Sequence, residues 1–136
     1  MRSIHQLSSD RLESFPPAVQ GLRSTIAATY PAFDLREYLA VLEESDGVGE
    51  LFVDGDLRFV HNMLLFSAAE ALEISKREFQ MRYLAIGAPG VDGIRYVLRP
   101  SLAEVFAYYP VDDDLSVIAS SVYGLLQKWV AGELRL

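Results

Sequence analysis

Apolar residues recur at helical spacing in four stretches of the chain, and they alternate or cluster in the stretches between. Val19, Leu22 and Ile26 form one stripe behind Pro16–Pro17, and Pro31 closes it. Proline suits a first turn because its missing N–H would have no helical partner there. Leu35, Tyr38, Leu39 and Leu42 form a second stripe. Asp34 with Glu37 reads as an acidic capping box for it, Phe33 and Tyr38 as the hydrophobic staple, and Gly47 and Gly49 as the stop. Ser67 with Glu70 reads as the capping box of a third helix over Ala68 to Arg82, with Ala68, Ala71, Leu72, Ser75 and Phe79 on its inner face. The strongest period comes last: Leu115, Ile118, Ala119, Val122, Leu125, Leu126, Trp129 and Val130 predict one terminal helix. On that reading Asp112, Asp113 and Asp114 precede its positive end and Gly132 caps its carboxyl end.

The remaining segments predict strands. Glu50–Val53 and Leu57–Val60 flank Asp54-Gly55-Asp56, a hairpin-type turn. Met63–Phe66 fits a short strand or an extended lead-in, and Tyr83–Ile86, Ile94–Leu98 and Ala103–Tyr109 follow. In Ile94–Leu98, Ile94, Tyr96 and Leu98 share a face opposite Arg95 and Arg99. Strands and helices do not alternate regularly, which argues against a doubly wound parallel sheet. The expected fold is a single α+β domain over residues 16–136, with a twisted, largely antiparallel sheet flanked by about four helices. Residues 1–15 are polar and mixed and are expected to be loosely structured, with Ser8, Ser9 and Asp10 capping at most a short turn.

Composition narrows the function. The chain has 136 residues, 51% hydrophobic and 23% charged, so it can bury a core and is not a disordered segment. It has no cysteine, which excludes disulfides, thiol catalysis and cysteine zinc sites. Twelve Lys and Arg stand against 19 Asp and Glu, for a formal charge of −7. Such a domain does not collect on nucleic acid or anionic lipid and is drawn to basic partners. The first ten residues lack the apolar region of a signal peptide, and no stretch approaches a membrane span. The simplest reading is cytoplasmic.

Chemistry-bearing motifs are sparse. The Gly87–Gly93 loop is glycine-rich, but no Lys-Ser/Thr follows it and Asp92 would repel phosphate, so it reads as an inter-strand loop. Asp112–Asp114 lack the alternating ligand spacing of a calcium loop. His5 and His61 are the two histidines, and neither has a second histidine at ligand spacing. No catalytic residue, cofactor site or metal site is assigned. A carboxylate-dependent enzyme, or a small-molecule pocket lined by Tyr96, Arg95 and Arg99, stays open as an alternative. Tyr108 and Tyr109 are candidate contact residues, because tyrosine anchors interfaces with a rigid ring and a polar tip.

Four segments resemble the SUKH superfamily, the Smi/Knr cell-wall-regulator and toxin-immunity domain. They are Tyr30-Pro31-Ala32-Phe33-Asp34 through Leu39 with Glu43-Glu44-Ser45-Asp46-Gly47; Asn62–Phe66 leading into the Ser67 helix; Leu84-Ala85-Ile86-Gly87 with the loop and Ile94–Leu98; and Ile118–Leu126. Together they span roughly residues 16–131. Tyr30 stands where the pattern has Leu, one residue is added before Tyr38, and Asp46 replaces Asn before Gly47. The resemblance implies a non-enzymatic α+β domain that works by binding protein. Bacterial members are commonly immunity proteins that neutralise a toxin from the same locus; others are regulatory scaffolds, the alternative here. An acidic immunity surface suits a basic toxin such as a nuclease. Its candidate residues are Glu43, Glu44, Asp46, Asp54, Asp56, Asp112, Asp113 and Asp114, with Tyr108 and Tyr109. A homodimer through the Ala103–Tyr109 edge is a further expectation.

Overall fold

The structure, a computed structural model, describes residues 11–136. His5, Ser8, Ser9 and Asp10 lie outside the described residues. The elements run β1 (Leu12–Ser14), α1 (Gln20–Thr29), α2 (Arg36–Glu44), β2 (Val48–Asp54), β3 (Leu57–Leu65), α3 (Ala68–Phe79), β4 (Leu84–Gly87), β5 (Arg95–Leu98), β6 (Val105–Tyr109), β7 (Asp114–Ala119) and α4 (Val122–Ala131). Every ladder is antiparallel, and the class is α+β, as the element order predicts. The strands divide into two sheets, β1-β2-β3 and β4-β5-β6-β7. They meet where the Phe66 N–H donates to the Ile86 carbonyl at 2.7 Å. Beside that bond a Cβ on Gly87 would overlap the Leu64 carbonyl oxygen, so glycine is what lets the two backbones touch.

Three helices begin or end where local chemistry dictates. The Ser67 hydroxyl accepts from the Glu70 N–H at 3.2 Å and Glu70 Oε1 accepts from the Ser67 N–H at 3.3 Å, so the expected box caps α3. This helix stops at Phe79, short of Arg82, because Gln80 and Met81 take left-handed backbone. Gly132 closes α4 with φ of 71°, as expected. In α1 the prolines stand ahead of the helix, and Val19 is 64% exposed, so Ile26 carries the inner face with half-buried Leu22.

Four expectations are corrected. Asp34 and Glu37 do not form a capping box. Helix α2 starts at Arg36, and the Asp34 carboxylate is held by the Arg36 guanidinium at 2.8 and 3.0 Å. Residues 12–14 of the supposedly loose segment form β1, with Leu12 paired to Glu50; three residues are too few for periodicity to reveal. Residues 114–119 are strand, not the start of the last helix. Val117 and Ile118 are β-branched and suit a strand, and β6 supplies the cross-strand partners from Tyr109↔Asp114 to Val105↔Ala119. Asp112 and Asp113 therefore lie in the β6–β7 turn, Asp114 opens β7, and Ser121 caps α4, accepting from the Gly124 N–H at 3.0 Å. Finally, β6 lies between β5 and β7, so Ala103–Tyr109 is not a sheet edge.

The core gathers Tyr38, Val41 and Leu42 of α2, Leu64 and Leu65 of β3, Leu84–Ile86 and Tyr96–Leu98, all at most 1% exposed. Both faces of β5 are covered, since Val97 is buried as fully as Tyr96 and Leu98.

Candidate interaction surface

The acidic residues singled out by sequence fall in three places with different duties. At the end of α2, Glu43 is ion-paired to Arg23 at 3.1 Å and stays largely exposed, while Glu44 is half-buried. Asp46 has a structural task. Its carboxylate accepts from the Ala68 N–H at 2.8 Å and adds a second cap to α3. Asp54 and Asp56 stand exposed at the β2–β3 tip on either side of Gly55, whose φ is 60°. Asp112 and Asp113 in the β6–β7 turn and Asp114 at the start of β7 are exposed. Among the described residues no ion pair engages Asp54, Asp56, Asp112 or Asp114.

The two tyrosines diverge. Tyr108 packs edge-on against Phe79 with ring centroids 4.9 Å apart, and its hydroxyl donates to Asp113 at 2.6 Å. The Asp113 carboxylate raises the Tyr108 pKa, with desolvation adding to it. Tyr109 instead borders an open cleft of about 650 Å³ with Val91, Asp92, Ile94, Val111 and Asp112. The structure thus joins Tyr108 to Asp113 and Tyr109 to Asp112. The α2-end and hairpin-tip acids belong to other elements.

Two features escaped the sequence. The first is the β2–β3 ribbon, whose residues 52–60 are all exposed. Phe52 and Phe59 face each other across the strands with ring centroids 5.2 Å apart, 43% and 46% exposed. A run of apolar residues at both odd and even positions (52, 53, 57, 59, 60) was the available signal; it reads as burial on both faces, and here it marks exposure.

The second is a polar hub at Glu50. Its carboxylate accepts from Asn62 Nδ2 at 2.6 Å and from Trp129 Nε1 at 3.1 Å. Asn62 also donates to the Ala88 carbonyl at 2.7 Å, and the Arg11 guanidinium lies 4.7 Å from the Trp129 ring centre. The hub ties β2, β3, the Gly87–Gly93 loop and α4 together. It gives that loop a structural role: Gly90, φ 88°, sits against the Asn62 side chain.

Tyr96, Arg95 and Arg99 do not make a common pocket. Tyr96 is buried, Arg95 pairs with Glu78 at 3.0 Å, and Arg99 lies over the Phe106 ring. His61 is exposed at the irregular part of the β2–β3 ladder. Among the described residues no group of three or more His, Asp or Glu could hold a metal ion, and no helix is long and apolar enough to cross a membrane. No protein-family model matches the chain, and no curated protein matches it.

Proposed function

We propose that this chain is a protein-binding domain of the SUKH type, a cytoplasmic immunity protein that binds and neutralises a basic toxin. The observation that carries the reading is the placement of unpaired carboxylates. Asp54, Asp56, Asp112 and Asp114 stand in or directly beside the β2–β3 and β6–β7 turns of a chain of charge −7, with no ion pair among the described residues to offset them. Turns fixed by antiparallel ladders hold these charges in place, which lowers the ordering cost on binding. A carboxylate surface steers a basic protein toward itself and can occupy a groove that would otherwise take phosphate.

The test is protection of cells that express the toxin domain encoded beside this chain, together with association rates of the two purified proteins. Wild type should protect. Neutralising Asp112 and Asp114 to Asn should slow association about tenfold at low salt and flatten its salt dependence. Failure to protect, or an association rate indifferent to salt, would sink the reading.

A further inference from the structure

The loop before β5 and the turn after β6 line an open cleft of about 650 Å³. One wall is 91–94, closed on itself where the Ile94 N–H donates to the Val91 carbonyl at 3.1 Å. The other is 109–112, and Leu136 joins the lining. The walls come together at Gly93, where a Cβ would lie 3.6 Å from Pro110 Cγ. Each wall is tied to the rest of the fold. Asn62 donates to the Ala88 carbonyl at 2.7 Å, and the Tyr108 hydroxyl donates to Asp113 at 2.6 Å. Alternation along β6 puts Tyr108 against Phe79 and Tyr109 on the cleft side. Much of the lining is apolar and uncovered: Val111 is 91% exposed, Val91 53% and Leu136 52%. Two carboxylates, Asp92 and Asp112, stand among these side chains, both exposed and neither in an ion pair among the described residues.

We propose that this cleft receives an arginine or lysine side chain of a protein partner, with an aliphatic residue beside it in the partner's sequence, an inference that rests on the reading of this chain as a binder of a basic protein. Charge and polarity together select this occupant. A purely apolar group would cover Val91, Val111 and Leu136 but strip water from two carboxylates and put nothing in its place. An anion would meet both carboxylates with like charge. Arginine and lysine carry a methylene stem that ends in a cation. The stem can lie on the apolar wall while the head answers Asp92 and Asp112. The Tyr109 ring borders the same space, and an aromatic face attracts a cation. A neighbouring aliphatic residue of the partner would cover Val111, which this chain leaves almost bare. The walls are already bonded in place, so little order has to be gained on binding.

The first test needs no toxin. Acetyl-Leu-Arg-Leu-amide is titrated into the isotope-labelled chain and followed by NMR, with acetyl-Leu-Glu-Leu-amide as its counterpart. The arginine peptide should shift the amides of 91–94, 109, 111 and 112 with half-saturation at about 1–10 mM, and the glutamate peptide should leave them in place. Val111→Lys sets a cation in the cleft at an exposed position and should abolish those shifts. Val19→Lys adds the same charge at the exposed start of α1 and should keep them. The second test uses the toxin domain encoded beside this chain. V111K should bind it at least about 30-fold more weakly than V19K, and Asp92→Asn about three- to tenfold more weakly than wild type. No shift with the arginine peptide, equal shifts with both peptides, or a toxin bound equally by V111K and V19K overturns the proposal. A wild type that leaves the toxin unbound counts against the immunity reading instead, and the peptide titration then judges the cleft by itself.

Discussion

At position 87 the chain has no room for anything beyond a hydrogen. The Leu64 carbonyl oxygen occupies the space a Cβ would take, and backbone on both sides is fixed in strands. Gly87→Ala must push the two sheets apart, so it should cost at least about 3 kcal/mol in urea unfolding. Gly55 offers the contrast. It has open space around it, and its need is only the positive φ of 60°, so Gly55→Ala should cost about 1 kcal/mol. Equal midpoint shifts for the two variants would refute the close approach at Gly87. The residue scale is also where the sequence was least legible. Asp46 and Asp113 read as members of acidic patches, yet one caps α3 and the other receives the Tyr108 hydroxyl. A carboxylate looks the same in sequence whether its partner is a distant N–H or water.

Among elements, α4 shows how a helix end is completed from afar. Ser121 takes the Gly124 N–H, and Glu37, 86 positions away on α2, takes the Tyr123 N–H at 2.8 Å. These two acceptors satisfy orphan donors that no residue inside the helix can reach. Ser121→Ala should cost about 1 kcal/mol and Glu37→Ala about 1–3 kcal/mol, because the second leaves a half-buried donor unpaired. Glu37→Gln retains an acceptor and should fall between Ala and wild type. Thermal unfolding of the three variants decides it; an E37A protein as stable as wild type would deny the α2–α4 bond. The same element explains the misplaced boundary. A run of apolar residues at 3–4 spacing continues smoothly from 115 to 130, and the switch from strand to helix at Ser120–Ser121 depends on β6 being alongside.

For the whole molecule, proton uptake and release set the stable pH range. Burial pushes the hydroxyl pKa values of Tyr38 and Tyr96 upward, and nearby carboxylates add to it. In the unfolded chain these groups ionise near about 10. A pKa raised on folding gives stability that is complete below the unfolded value and is lost as pH rises past it. Urea midpoints should thus hold steady to about pH 9 and fall above about pH 10. Tyr96→Phe, which removes one of the two groups, should flatten that fall. On the acid side the Arg95 guanidinium holds Glu78 below the ordinary carboxylate range. That contribution is present above the ordinary carboxylate value and is lost as pH drops through the depressed one, and its size is limited by exposure to solvent.

Periodicity was enough to place α2, and periodicity with local caps placed the start of α3 and the end of α4; local patterning also gave the β2–β3 hairpin and the α+β class. These depend on local spacing and on side chains that bond their own backbone neighbourhood. Composition likewise set the acidic surface and the absence of thiol chemistry. The tertiary structure decided which strand lay beside which. That choice turned Asp112 and Asp113 from a helix cap into a turn, put Asp114 in β7 and placed β6 between two neighbours. It also assembled the Glu50, Asn62 and Trp129 hub from residues up to 79 positions apart. Long-range pairing is fixed by shape and by the satisfaction of backbone groups across the whole fold, and no local window of sequence contains that information.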